Sequence, residues 1–349
     1  MLEKRDGKND PSASRPVAIW LLFLCGLIFA MVLLGGYTRL RESGLSMTDW
    51  RPVTGLLPPL DAEAWQAEFA RYQQFPEFQK LNSWMDVAAF KAIYLVEYAH
   101  RMLGRLIGLA FLIPFLIFTV TKRISPALRP KLALMFILGA VQGGLGWFMV
   151  KSGLVDRPDV SPYRLTAHLG LAVAILGYIF WVALGLLVNL KPRGTEYLRG
   201  HAWLVASAVF LQILSGGLVA GLNAGHAYNT WPLIDGALIP TGLLDGAPPG
   251  TGIFENILAV QFMHRMLGYL TVILAVALWW RARRGSKPRS AGPGPGLVAL
   301  LALGQAALGV ITLVNAVPVA LGLAHQGGAL LVFTAALFTV FHLKGEGNP

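Results

Sequence analysis

The sequence predicts an all-α integral membrane protein whose eight transmembrane helices form two parallel-repeat four-helix bundles. Three observations predict it. Of 349 residues, 55% are hydrophobic and 13% charged, about half the charged share of a soluble chain, and the mean hydropathy is +0.57. Eight apolar runs are each long enough to cross a bilayer as a helix. Motifs in the first half return in the second. The composition excludes a soluble enzyme and a disordered chain, and the bilayer is the first expected partner.

The elements follow in order. Residues 1–16 form a polar tail expected in the cytoplasm; it has no apolar core of a signal peptide, and its acidic residues disfavour a transit peptide. The spans run about 17–38, 92–120, 131–150 and 163–190 in an N-terminal unit (17–190). A linker, 191–200, leads to spans at about 201–222, 256–280, 297–316 and 320–343 in a C-terminal unit (201–343), with a short tail at 344–349. In the first outer loop, Trp65, Phe69 and Tyr72 recur at helical spacing. They predict an amphipathic helix, either lying on the membrane surface or covering a site.

The net charge of +11 raises the question of sidedness rather than of nucleic acid, which is not expected as a partner. Seventeen Lys and Arg residues fall in the tails and the loops after spans two, four and six, including Lys122, Arg123, Arg281, Arg283 and Arg284. Nine are spread over the longer opposite side, and 223–255 has none. The positive-inside rule then puts both termini in the cytoplasm, as for a multi-pass protein of the cell inner membrane. The single cysteine, Cys25, lies inside a span, so neither an internal disulfide nor a thiolate metal cluster can form.

The repeat is close to literal. His-Arg-Met-Leu-Gly occurs at 100–104 and 264–268. Gly35, Gly36, Gly44, Trp50, Gly55, Leu57 and Pro59 align without a gap on Gly216, Gly217, Gly225, Trp231, Gly236, Leu238 and Pro240. Gln142 is matched by Gln305, and His168 in HLGLA by His325 in HQGGA. A duplicated unit of four spans keeps one orientation, so the copies would be related by an axis along the membrane normal.

Four of seven histidines lie inside spans: His100, His168, His264 and His325. His201, His226 and His342 sit at span ends or in a loop and read as surface or interface residues. One intramembrane histidine alone would read as an interhelical hydrogen bond. Here each repeat supplies a pair, on its second and fourth spans, at one depth. Two imidazoles from facing helices make a bis-histidine haem site. Gly104, Gly170, Gly268, Gly327 and Gly328 would either admit a flat macrocycle or serve ordinary helix packing. Arg101 and Arg265, beside the first histidine of each pair, could contact haem propionates or reach for the interface.

The halves differ at one position. Glu97 lies one turn before His100; its mate before His264 is Gln261. A carboxyl group inside a membrane is costly and suits acid–base work, whereas an amide cannot shuttle protons. The bland alternative is a salt bridge from Glu97 to Arg101 or Arg105. The asymmetry points to one reacting half and one half with a fixed cofactor.

EYAHRMLGRLIG at 97–108, QGGLGWFMV at 142–150, HLGLA at 168–172, GLNAGHAYNTWPLIDGALIP at 221–240, QFMHRMLGY at 261–269 and HQGGA at 325–329 together resemble the haem A synthase family. The resemblance implies oxidation of the C8 methyl of haem O to a formyl group, by two hydroxylations, for the terminal cytochrome oxidases. It maps the substrate-haem iron onto His100 and His168, a resident haem b onto His264 and His325, and the catalytic carboxylate onto Glu97. It implies haem O synthase and oxidase assembly factors as partners, together with an electron donor or acceptor that it does not name. One branch of the family carries a cysteine pair in the first outer loop; this chain has none and resembles the other, proteobacterial and mitochondrial branch. Two other readings stay open on the residues alone: a di-haem electron-transfer cytochrome, and a haem transporter or chaperone without chemistry.

Overall fold

In a computed structural model of the chain, every predicted span is a helix. It describes residues 11–49, 56–153, 159–188, 195–243, 245, 252–285 and 291–343. The helices are α1 (Pro11–Leu40), α2 (Ala62–Tyr72), α3 (Val87–Val120), α4 (Arg129–Gly153), α5 (Pro162–Leu187), α6 (Arg199–Gly221), the single turn α7 (Gly252–Glu255), α8 (Ile257–Arg284), α9 (Gly294–Val314) and α10 (Val319–His342). Eight of them, all but α2 and α7, are long and apolar enough to cross a membrane. The chain is a multi-pass, all-α membrane protein. The repeat positions Trp50 and Gly55 lie outside the described residues, as do Lys191, Arg193, Lys287 and Arg289 among the basic side chains.

Local chemistry sets the helix starts. Asp86 accepts the Ala89 amide at 2.8 Å, so α3 begins five residues before the apolar run expected from 92. Asn256 caps α8 through the Ala259 amide at 3.0 Å, and Asp61 caps α2 through Ala64 at 2.8 Å. Each satisfies one of the amides a helix start leaves unpaired. Pro162 stands in the first turn of α5, where its missing N–H costs nothing. At the other end of α8, Arg283 and Arg284 lie over Trp279 and Trp280, the aromatic and basic pairing of a membrane boundary.

The core sits where α1, α5, α6 and α10 meet. Leu21 and Leu24 of α1, Val173 and Leu176 of α5, Val205 of α6, and Leu330 and Val340 of α10 are buried in one cluster. Small residues allow the approach: a side chain at Gly221 of α6 would meet the Pro162 backbone at 2.7 Å, and one at Gly177 of α5 would meet Phe333 and Leu337 of α10. Polar ties cross between the units as well. Gln326 donates to the Val32 carbonyl at 3.0 Å, and Arg39 reaches the Ala220 carbonyl at 3.0 Å and Asn223 Oδ1 at 2.9 Å. Helices α3 and α4 are peripheral, with Leu109, Ile113, Ile137 and Val141 exposed, as lipid-facing side chains would be.

The outer-loop helix packs on protein rather than lying free on the membrane surface. Trp65, Phe69 and Tyr72 of α2 are buried against Phe90, Ile93 and Tyr94 at the start of α3, with edge and stacked ring contacts such as Trp65–Tyr94 at 5.1 Å and Tyr72–Phe90 at 5.2 Å. A helix of α2's length cannot stand alone in water; this aromatic face holds it. Under it, Glu77 accepts the Tyr72 hydroxyl at 2.9 Å, and Tyr72 accepts from Asn82 at 2.8 Å. Burial, against which the Tyr72 hydrogen bond works, pushes the Glu77 carboxyl up to about 8 from 4.5. The folded loop therefore keeps a proton that the unfolded segment releases. The stability this gives is full below about 4.5 and is lost as pH rises through about 8. Hydrogen exchange of residues 62–94, corrected for intrinsic rates, should quicken between about pH 5 and about pH 8. Glu77→Gln should abolish that change; an unaltered pH response in the variant would refute the assignment.

Candidate functional site

The four span histidines stand on α3, α5, α8 and α10, and each meets a glycine of a neighbouring helix. A side chain at Gly35 of α1 would lie 3.1 Å from Cε1 of His100. The same holds for Gly146 of α4 and His168 at 3.0 Å, Gly216 of α6 and His264 at 3.3 Å, and Gly309 of α9 and His325 at 2.7 Å. All four imidazoles thus lie in slots that a Cβ would narrow. These are not the glycines the sequence singles out. Gly104, Gly170, Gly268, Gly327 and Gly328 face Met31, Leu214, Gln212, Leu33 and Gln305, which is helix packing. The signal for the slot glycines was in the repeat, where Gly35 aligns with Gly216.

In the C-terminal unit the rings of His264 and His325 lie with centroids 6.4 Å apart and planes at 75°. A metal–imidazole bond is about 2 Å, and a ring nitrogen lies about 1 Å from its centroid, so an ion held between two such nitrogens separates the centroids by about 6 Å. The pair therefore fits two axial ligands of one iron. The polar surroundings fit too. Ser215 Oγ donates to the Gln212 carbonyl at 2.8 Å and stands 2.8 Å from His264 Nδ1, so it can accept from a protonated Nδ1 and leave Nε2 for a metal. Gln212 donates to the His264 carbonyl at 3.0 Å and lies 3.2 and 3.3 Å from its ring nitrogens. Gln305 does the same for His325, at 2.7 Å to the carbonyl and 3.0 Å to Nδ1. Among the described residues no group of three or more His, Cys, Asp or Glu side chains converges. Two ligands suffice only where a macrocycle supplies the rest.

In the N-terminal unit His168 has the same anchor: Gln142 donates to its carbonyl at 3.0 Å and lies 3.2 and 3.4 Å from its ring nitrogens. His100, on α3, lies in the slot at Gly35.

Glu97 is buried, one turn from His100. Its Oε2 accepts the Ser46 hydroxyl and the Met47 amide, both at 2.8 Å, and its Oε1 pairs with Arg101. All partners are donors, the complement that a carboxylate accepts. The salt bridge considered as the bland reading is thus present, to Arg101. Arg101 also donates to the carbonyls of Met47 at 2.7 Å and Asp49 at 3.0 Å. The second unit repeats this with the charge removed. Arg265 donates to Gln261 Oε1 at 2.7 Å and to the carbonyls of Tyr228 and Thr230 at 2.8 and 2.9 Å, while Gln261 donates to the Ala224 carbonyl at 2.8 Å. Both arginines clamp the loop after the first helix of their unit, a task the sequence did not suggest. Above Arg101, a cavity of about 310 Å³ opens between this loop and α2, lined by Asp49, Leu57, Glu68, Arg71, Tyr94 and Arg105 among others.

Of the three remaining histidines, His226 is exposed while His201 and His342 are half-buried at helix ends. His201 bridges the Leu274 carbonyl at 3.0 Å and Arg281 at 3.1 Å, His342 rests on Phe338, and His226 ends a short turn.

Residues 18–337 match the COX15-CtaA family, described as cytochrome oxidase assembly protein. The haem A synthase of Parvibaculum lavamentivorans is 47% identical over 342 residues, covering 98% of this chain and 97% of that one. The haem A synthase of Paramagnetospirillum magneticum is 49% identical over 351 residues, 97% of each chain. That of Paracoccus denitrificans is 44% identical over 335 residues, 94% of this chain and 88% of its own. On a match that spans all eight membrane helices, the chain belongs to the COX15-CtaA family of cytochrome oxidase assembly proteins.

Proposed function

We propose that this protein is a haem A synthase, an oxidoreductase that converts the C8 methyl of haem O to a formyl group. The observation that carries the reading is the unequal pair of sites: two span histidine pairs whose rings all lie in glycine slots, with a buried carboxylate beside one pair and an amide in its place beside the other. His264 and His325 would hold a resident haem b, which supplies one-electron transfer when bound. His100 and His168 would receive haem O as substrate, with its methyl group toward Glu97.

Conversion of the methyl to the aldehyde consumes one water overall and releases four electrons and four protons. Each hydroxylation takes a water and gives up two of each; the resulting gem-diol then loses water. Glu97 takes the protons at its carboxylate as water attacks. Arg101, Ser46 and the Met47 amide fix that carboxylate in place, and positioning of this kind is a large part of catalysis. The electrons leave to an acceptor outside the chain. Water would be the attacking group for as long as both His100 and His168 hold the substrate iron. Loop carbonyls already engage both terminal nitrogens of Arg101 and Arg265, which leaves each guanidinium less to offer a propionate.

The test is pigment extraction from the purified protein after expression with a haem O source. Haem B together with haem O and haem A is expected. Haem B alone, with no formylated product under any condition, would favour the electron-transfer cytochrome.

The surplus of basic residues supports a location in the inner membrane with both termini in the cytoplasm. A reporter fused after Pro349 should be active only if it works in the cytoplasm; activity of a periplasm-dependent reporter there would overturn the topology.

A further inference from the structure

Three of the four histidines have a glutamine on the adjacent helix, four residues before the slot glycine: Gln142 before Gly146, Gln212 before Gly216 and Gln305 before Gly309. Each donates to the carbonyl of its histidine and lies against the ring. The fourth frame breaks the pattern, because the residue four before Gly35 is Met31. Met31 occupies the place of Gln212: a side chain at Gly104 would meet the Met31 methyl at 3.3 Å, and one at the matching Gly268 would meet the Gln212 amide at 3.3 Å. The second polar partner is missing as well. Ser215, which stands 2.8 Å from His264 Nδ1, is matched in the first unit by Leu34. As a result His100 Nδ1 is buried without a hydrogen-bond partner, alone among the ring nitrogens of the four histidines in this respect.

A metal-bound imidazole ordinarily donates its other N–H to an acceptor, which orients the ring and strengthens it as a ligand. Loss of such a partner typically weakens metal affinity by 10–100-fold. From the replacement of a polar pair by Met31 and Leu34 we infer that His100 is the releasable ligand of the substrate side, and that these two residues set the difference between a haem that is exchanged and one that is kept. The inference rests on the reading of His100 and His168 as the substrate pair and goes a step further. It gives the two ends of that pair unequal tasks: His168, backed by Gln142, holds, and His100, one turn from Glu97, lets go. A site whose substrate and product are both haems needs one weak ligand, because a haem gripped equally from two helices leaves slowly.

The test is haem transfer to excess apomyoglobin from the full chain loaded with haem B as probe at both sites, with the two pools resolved by their spectra. The N-terminal pool should leave the parent protein at least ten times faster than the C-terminal pool. In the double variant Met31→Gln, Leu34→Ser its loss should slow by about 10–100-fold, and its spectrum should become as fully low-spin as that of the C-terminal haem. The reciprocal pair, Gln212→Met with Ser215→Leu, should speed loss of the C-terminal haem. Retention of C-terminal haem B in the first variant serves as the check on folding. His168→Ala separates the two layers of argument. If it removes the N-terminal pool while the Met31/Leu34 variant exchanges haem at the parent rate, the substrate pair stands and the inference is wrong. If it leaves both pools intact, the pair is misassigned and the inference falls with it.

Discussion

Glu97→Gln should lower haem A production by about two orders of magnitude or more, the scale of a positioned acid–base group. Haem O, or its hydroxylated intermediate, should accumulate on the protein instead. The variant should fold, because the second unit already contains it. Gln261 gives its amide oxygen to Arg265 at 2.7 Å and its amide nitrogen to the Ala224 carbonyl at 2.8 Å. In the first unit the repeat mate of Ala224 is Ser43, whose carbonyl lies 3.2 Å from the Ser46 hydroxyl oxygen. An amide at 97 can keep Arg101 through its oxygen and turn its nitrogen toward that carbonyl. Volume and the loop clamp are kept while ionisation is lost. The reciprocal Gln261→Glu should leave the product unchanged. The measurement is the ratio of haem A to haem O in extracts of the purified variants. A ratio near that of the parent for Glu97→Gln would make Glu97 a structural partner of Arg101 and remove it from the chemistry.

Replacing His264 or His325 by Ala should strip most haem B from the purified protein. A centroid separation of 6.4 Å leaves space for one iron, so the loss of either ring would leave it a single histidine ligand. The slots contribute in the same direction. With the imidazole gone, Gly216 or Gly309 faces a void, and Gln212 or Gln305 loses the ring it lies against while keeping the backbone carbonyl. The helices should therefore remain packed while the pigment is lost, which absorbance at the Soret band and pyridine haemochrome analysis will read. A bis-histidine low-spin spectrum of full intensity in both variants would refute the assignment.

Much of the fold was legible because membrane spans carry a strong, local signal. Twenty apolar residues without charge have few alternatives in a bilayer, and all eight spans form as helices where the runs lie. Boundaries were less legible. The start of α3 at Val87 depends on the Asp86 cap, a single side-chain contact within a polar stretch. The amphipathic stripe of Trp65, Phe69 and Tyr72 identified a helix but not its partner, since an apolar face reads the same whether it meets lipid or Phe90.

By itself the sequence determined the eight helices, the duplication, the four span histidines and the contrast between Glu97 and Gln261, because each is a pattern of residue types at fixed spacing. Only the tertiary structure decided what those residues touch. It brought His264 and His325 to the spacing of one metal, assigned the histidine slots to Gly35, Gly146, Gly216 and Gly309, and engaged Arg101 and Arg265 with loop carbonyls. It also showed that Met31 stands where the other three frames have glutamine, leaving His100 Nδ1 without a partner. The physical reason is that helical periodicity fixes which residues share a face, whereas the pairing of faces from different helices depends on how side chains of particular size interlock across the bundle. That information belongs to no single stretch of the chain.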